Sequence, residues 1–221
     1  MPCHALPKAP ATVTDDRLTD QLTVSAEWRL NQAEGAVELA AGAPEMAPRT
    51  PLDAVVDACD QARRRSEQAD LDAEAVWILI DAGDLVEARQ LLAGRLAAQA
   101  EEAKGFARMA EFAANEMAGN CVAAAKAVDQ VQPVLTRAGE SAWQSDSRWL
   151  SDAITRVAGW RCRIAHAEEE ADAARELAVV AAAHTVHARI VLGLATSDLE
   201  KAESRQMTSQ AEAVLVGQGI G

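Results

Sequence analysis

The sequence predicts an all-α protein, a helical bundle of long antiparallel helices in a coiled-coil-like hairpin. Two observations predict it. Alanine dominates the 221 residues, tyrosine is absent and only two phenylalanines occur, and alanine is the best helix former and a poor strand former. Apolar residues also recur alternately three and four residues apart from Ala93 to Ala142 and from Leu150 to Ala202, broken only by Thr185. This spacing is typical of long helices that pack along one face.

The N-terminal part of the chain predicts a tail, a helix and a linker. Residues 1–12 contain three prolines and no apolar periodicity, which indicates a disordered tail. Residues 13–41 are expected to form an N-terminal helical segment, with Thr14 as N-cap and the helix running from Asp15 or Asp16 to about Ala41. Apolar side chains then share one face, namely Leu18, Leu22, Ala26, Leu30 and Ala33. Residues 42–50 carry two prolines and predict a linker.

The bundle or hairpin domain is predicted to span residues 51–216, followed by a flexible C-terminus at 217–221. Its start is marked by Thr50-Pro51-Leu52-Asp53, since threonine accepts from a free helical N–H, proline suits the first turn and an acid favours the positive helix end. The turn of the hairpin is placed at residues 139–147. Pro133 is expected to kink or end the first arm.

A tighter turn is predicted between Leu71 and Leu92. Gly83 can take a left-handed conformation at a helix C-terminus, and Asp84 can cap the helix that follows. This segment resembles the turn between the two helices of a tetratricopeptide-type (TPR-like) repeat. The resemblance implies an alternative architecture, an α-solenoid of short stacked helix pairs that works as a helical-repeat binding module.

The net charge and the cysteines indicate which partners and which cellular compartment to expect. The formal net charge of −13 opposes nonspecific attraction to nucleic acid and to anionic lipid. The four cysteines are widely separated and the N-terminus lacks the apolar core of a signal peptide, so a cytoplasmic protein with reduced thiols is expected. Residues 177–196 are long enough for a membrane span, but Arg189 lies near their middle, and a helix buried on most of its faces is predicted instead.

One group of side chains has the residue types of a metal site. Cys162, His166 and Glu170 lie four residues apart, and His184 and His187 follow further along. On a straight helix the two groups are roughly 20 to 30 Å apart, so no metal or other cofactor is predicted. The chain also lacks a nucleophile elbow, a phosphate-binding loop and an HExxH pair. A helical-bundle enzyme or metal-binding protein is therefore kept only as an alternative.

A tryptophan cluster predicts the site of contact with a protein partner. Trp143, Arg148, Trp149 and Trp160 surround the predicted hairpin turn, and tryptophan and arginine are enriched at binding hot spots. The same cluster could stack nucleic-acid bases, but the arginines can equally pair with nearby acids, and no nucleic-acid partner is predicted. The sequence thus predicts a non-catalytic protein-protein interaction, scaffold or adaptor protein, with self-association as one form of contact.

Overall fold

The computed structural model describes residues 13–41, 50–141 and 147–218, and within these ranges it contains helices and no strand. They are α1 (Val13–Ala40), α2 (Pro51–Ala82), α3 (Leu85–Leu91), a π-helical turn (Leu92–Leu96), α4 (Ala97–Ser141) and α5 (Ser147–Gln218). The all-α prediction is confirmed. The predicted tail, most of the predicted linker and residues 142–146 of the predicted hairpin turn lie outside the described residues.

The start of α2 has the predicted cap. The Thr50 hydroxyl accepts from the backbone N–H of Asp53 at 3.2 Å, and the Asp53 carboxylate accepts from the Thr50 N–H at 2.9 Å. This reciprocal pair is a capping box, with Pro51 at the first helical position. At the other end Gly83 adopts φ 84°, the left-handed conformation that the sequence predicted. Asp84 occupies the predicted N-cap position before α3, but its side chain makes no capping hydrogen bond.

The π-helical turn is a feature that the sequence analysis did not predict. A π turn holds one extra residue. Leu96, a member of the predicted apolar run, is fully buried at the end of this turn. The run was wrong at its first residue, because Ala93 is exposed and Leu92 packs against the core instead.

Pro133 does not end α4, so the prediction that the first arm stops there was wrong, while a kink at this proline stays a prediction. The helix continues through Pro133 for eight further residues to Ser141. Proline cannot donate to the carbonyl four residues earlier, which belongs to Asp129. Because Pro133 and Asp129 are both exposed, water can satisfy that carbonyl, so the missing hydrogen bond does not terminate the helix.

The chain forms two compact units, and α4 and α5 contribute residues to both. Unit 1 combines the described residues of Met1–Ala47 with Met117–Glu169. In it α1 and the adjoining parts of α4 and α5 bury one face each, at residues spaced three and four apart. These core residues include Ala26, Leu30, Ala33 and Val37 of α1, Cys121, Ala124, Val128, Val131 and Leu135 of α4, and Ala153, Val157, Trp160, Ile164 and Ala167 of α5.

Unit 2 combines the described residues of Pro48–Glu116 with those of Glu170–Gly221. Its core draws on α2, α3, the π turn, and the adjoining parts of α4 and α5, and consists of Ala69, Ala73, Val76, Leu85, Ala88, Leu96, Ala100, Ala103, Ala188, Val191, Ala195 and Leu199. Thr185, the polar exception in the pattern, is buried and its hydroxyl donates to the Ala181 carbonyl at 3.2 Å. Its polarity is therefore satisfied within the helix.

The antiparallel pairing of α4 with α5 is visible inside each unit. In unit 1 the Arg161 guanidinium lies 3.7 Å from Asp129, while Gly139 faces the side chain of Leu150. In unit 2 residues 104–115 of α4 face residues 175–186 of α5. The predicted bundle of long antiparallel helices is confirmed. With 45 residues in α4 and 72 in α5, the alternative of short stacked repeats was wrong.

Candidate protein-contact surfaces

The predicted tryptophan site is held in unit 1 by contacts between α1 and α5. The Trp149 indole N–H donates to the Glu27 carboxylate at 2.7 Å, and the Trp149 side chain is half-buried while Arg148 is exposed. Trp143 lies outside the described residues. Because its polar atom is already bonded within the unit, Trp149 offers a partner part of its ring surface but no free donor.

Trp160 lies in the core of unit 1, with 5% of its surface exposed. The Arg156 guanidinium lies over its ring at 5.2 Å and donates to Glu34 at 2.8 Å. This arrangement combines a cation–π contact with an ion pair between α1 and α5. In unit 1, Trp160 therefore contributes packing, and a partner at this site would contact Arg148 and the open part of Trp149.

A tryptophan outside the predicted cluster is more open. Trp28 on α1 is 56% exposed, and the Arg29 guanidinium lies 5.4 Å from its ring centroid. Arg29 also donates to Gln130 of α4 at 3.0 Å. The sequence analysis did not select Trp28, because the apolar periodicity of α1 passes through Ala26 and Leu30 and leaves residue 28 without an assigned role.

An apolar surface that the sequence analysis missed lies on α5 in unit 2. We call it the α5 stripe, and it consists of Val179, Ala183, Val186, Ile190 and Leu194. The four larger side chains are 53% to 69% exposed, and Ala183 is exposed as well. Successive residues of the stripe are three or four positions apart in the sequence, so they lie on one side of the helix. The core residues of the same stretch, such as Ala181 and Ala188, occupy another side.

A groove runs beside the α5 stripe, between α4 and α5 of unit 2. Its volume is about 460 Å³, and Val179 and Val186 of the stripe form part of its wall. Alanines form much of the remaining lining, while Arg108 and Arg175 are among its charged residues. The groove extends the apolar surface toward α4, so a helix packed on the stripe could also contact α4.

The residues considered as metal ligands do not form a cluster. Among the described residues no group of three or more His, Cys, Asp or Glu side chains could hold a metal ion. His166 lies 3.8 Å from Glu169, one turn away, and His187 lies 2.9 Å from Asp70 of α2. α5 is helical without interruption from Cys162 to His187.

Three consecutive arginines of α2, Arg63, Arg64 and Arg65, form a basic run, and two of them pair with acids in unit 2. Arg63 lies 3.5 Å from Asp60 and 3.4 Å from Glu67 on its own helix. Arg65 forms an ion pair at 2.9 Å with Glu102 of α4. These pairs neutralise two of the positive charges that a nucleic-acid backbone would need.

Two ionisable side chains of unit 2, Cys59 and Glu101, have pKa values shifted from their usual ones. Burial raises the pKa of the Cys59 thiol, and the neighbouring Asp60 carboxylate acts in the same direction. The hydrogen bond from Lys104 holds the pKa of Glu101 below its usual value, and the Lys104 charge contributes further. The raised pKa of Cys59 keeps this thiol protonated and hence slow to react. Neither group belongs to an arrangement with acid–base function.

Compared with known proteins, the chain matches no family model, no curated protein and no solved structure. One described helix, α5, is long and apolar enough to cross a membrane by length and composition alone, and 28% of its most apolar 18-residue window is buried. The prediction that this part of α5 is buried on most of its faces was wrong, because the α5 stripe is open to solvent.

Proposed function

We propose that this chain is a non-catalytic scaffold or adaptor protein that works by packing a helix of another protein molecule against the α5 stripe. The observation that carries the proposal is the exposure of four large aliphatic side chains in one row on a helix that already has a buried core face. Contiguous apolar surface of this kind is uncommon on proteins that act alone and is typical of interaction sites.

The form of the stripe favours a helix as the occupant. From Val179 to Leu194 it extends for about 22 Å at 1.5 Å per residue. Its spacing of three and four residues matches the anchor pattern by which amphipathic helices pack together. The adjacent groove, which contains Ala182 and Ala178, offers small side chains that permit a close approach. A bound helix would lie along α5 and cover the stripe.

The charges around the stripe favour a protein over a lipid surface. Acidic side chains, Glu176 and Glu200, occur beside the stripe together with Arg175 and Lys201, whereas segments that bind anionic lipid carry an excess of basic residues. The net charge of −13 adds repulsion from such lipid. A cytoplasmic location, the absence of a nucleic-acid partner and the tryptophan contact site near Trp149 stay predictions.

Cysteine labelling tests the proposal without knowledge of the partner. Val186→Cys places a thiol in the middle of the stripe, and Ile78→Cys places one at an exposed aliphatic position of α2 in the same unit. In extracts of the producing cells, we expect a water-soluble maleimide to modify Val186→Cys much more slowly than Ile78→Cys, because a packed helix covers only the former.

Two measurements complete the labelling test. In denaturant both introduced thiols should react at the same rate, and the native Cys162, which is exposed, reports the reagent dose in every sample. Equal and fast modification of Val186→Cys and Ile78→Cys in the native extract would contradict the proposed function, since the stripe would then be open where the protein operates.

A further inference from the structure

The occupant of the α5 stripe can be inferred from the charges at its two ends, given the proposed function. We propose that the stripe binds a second copy of this chain, with the two α5 helices antiparallel about a twofold axis near Ala188. This pairing places Val186 of one copy opposite Ile190 of the other, and Ala183 opposite Gly193. The valine and the isoleucine thus meet twice at the centre of the contact, while toward its ends Leu194 comes level with Ala182 and Val179 with Ser197.

Charge complementarity supports this register. Arg175 and Glu200 flank the stripe on one side, and Glu176 and Lys201 flank it on the other, according to the 3.6-residue period of the helix. In an antiparallel pair, residues on the same side meet, so Arg175 faces Glu200 of the second copy while Glu176 faces Lys201. All four residues are exposed, and symmetry repeats both pairs at the opposite end.

A parallel pair would join the same four charges differently. Opposite sides of the stripe meet in that arrangement, so Arg175 would lie beside Glu176 and Glu200 beside Lys201, and charge reversal distinguishes it from the antiparallel pair. In the single chain Arg175 already contacts Asp172 at 2.7 Å and Lys201 contacts Asp198 at 2.9 Å. The intermolecular pairs therefore extend small surface networks and mainly determine the register, while the apolar row provides the attraction.

The size of the contact indicates a reversible dimer. From Arg175 to Lys201 the paired segment is about 39 Å long, and with a helix width of about 10 Å it covers roughly 400 Å² on each copy. Contacts of this size lie at the low end of specific interfaces. We therefore expect the dimer to dissociate on dilution through the micromolar range.

Sedimentation equilibrium of the purified full-length chain tests the second copy as occupant. The chain should change from dimer to monomer on dilution, and Ile190→Asp should weaken dimerisation by about a hundredfold or more, because it buries a charge at the centre of the contact. Ile78→Asp is the matched control, an equally drastic change at an exposed isoleucine of α2, and should leave the dimer intact.

Charge reversal tests the antiparallel register. Arg175→Glu alone and Glu200→Arg alone should each weaken the dimer by about tenfold, since each places like charges at both ends. A mixture of the two variants should associate as tightly as the original chain, because every end of the mixed pair joins opposite charges. Failure of the mixture to recover association would overturn the proposed register.

The remaining outcomes separate this inference from the proposed function. A chain that is monomeric at high micromolar concentration, while Val186→Cys is still protected in extracts, overturns the second copy as occupant but leaves a different protein on the stripe. A dimer that tolerates Ile190→Asp also overturns the inference. The inference is also overturned if the chain is monomeric and floats with anionic phospholipid vesicles, and if Ile190→Asp abolishes this binding. That outcome would assign the stripe to a membrane surface.

Discussion

Substitution of Arg95 by methionine should destabilise the protein, because it leaves the buried Asp72 carboxylate without its ion-pair partner. The Asp72 side chain is 4% exposed, and its Oδ1 accepts from Arg95 Nη2 at 2.8 Å and from Gln68 Nε2 at 3.2 Å. Its Oδ2 is buried and has no hydrogen-bond partner among the described residues. Arg95→Met keeps much of the aliphatic stem but leaves the Asp72 charge with a single amide donor.

The magnitude follows from the exposure of the two partners. Removing one member of a fully buried ion pair costs about 3 to 5 kcal/mol. Arg95 is 65% exposed, so water can replace part of its interaction, and we expect Arg95→Met to lower the free energy of unfolding by about 2 to 3 kcal/mol. The double variant Asp72→Leu/Arg95→Met removes the charge as well and should lie within about 1 kcal/mol of the original protein.

Urea unfolding followed by far-ultraviolet circular dichroism measures both effects. Arg205→Met, at an exposed arginine of α5, is the control and should change stability by less than about 0.5 kcal/mol. If Arg95→Met has an effect no larger than this control, or if the loss persists in the double variant, the Asp72 carboxylate does not depend on Arg95 and the reasoning fails.

Three further predictions concern single side chains. Gly105→Ala, at an exposed helical site where a Cβ meets nothing within 4 Å, should raise unfolding stability by about 1 kcal/mol; an unchanged or lower urea midpoint would refute this. Trp160→Ala should cost about 3 to 5 kcal/mol, whereas Trp149→Phe, which removes the N–H bonded to Glu27 and part of a half-buried ring, should cost about 1 to 2 kcal/mol; similar losses in thermal melts would contradict their different burial. Iodoacetamide should alkylate exposed Cys162 before Cys59, whose pKa is raised by burial, and peptide mass spectrometry would expose the opposite order.

The sequence was sufficient to predict the core faces and the helix ends that depend on local chemistry. The spacing of apolar residues by three and four positions is enough to identify the buried face of a helix, and Ala100 and Val157 are in the core as this spacing predicted. The capping box at Thr50 and the left-handed Gly83 depend on neighbouring residues alone. Such features are encoded within a few positions of the chain and need no tertiary context.

The π turn and the tolerance of Pro133 depend on surroundings that the sequence does not display. Leu96 is buried as its place in the apolar run predicts, but Ala93 is exposed and Leu92 packs against the core of unit 2, which the spacing alone does not indicate. Whether a proline breaks a helix depends on whether the carbonyl it leaves without a donor can reach water, as at Asp129. The α5 stripe was missed for a related reason. The sequence of α5 is apolar on more than one side, and it does not indicate which of these sides neighbouring helices cover.

The predominance of alanine in both cores affects how the helices are aligned along their axes. A helix that slid by seven residues, about 10 Å, past its neighbours would in many places exchange one methyl group for another, at little cost in packing. The fully buried large side chains oppose such a slip, because each fits only where its neighbours leave room. These are Leu30, Val37, Val128 and Val131 in unit 1 and Val55, Val76 and Leu96 in unit 2. Axial alignment thus depends on a few leucines and valines, while the alanines between them allow close packing without specifying position.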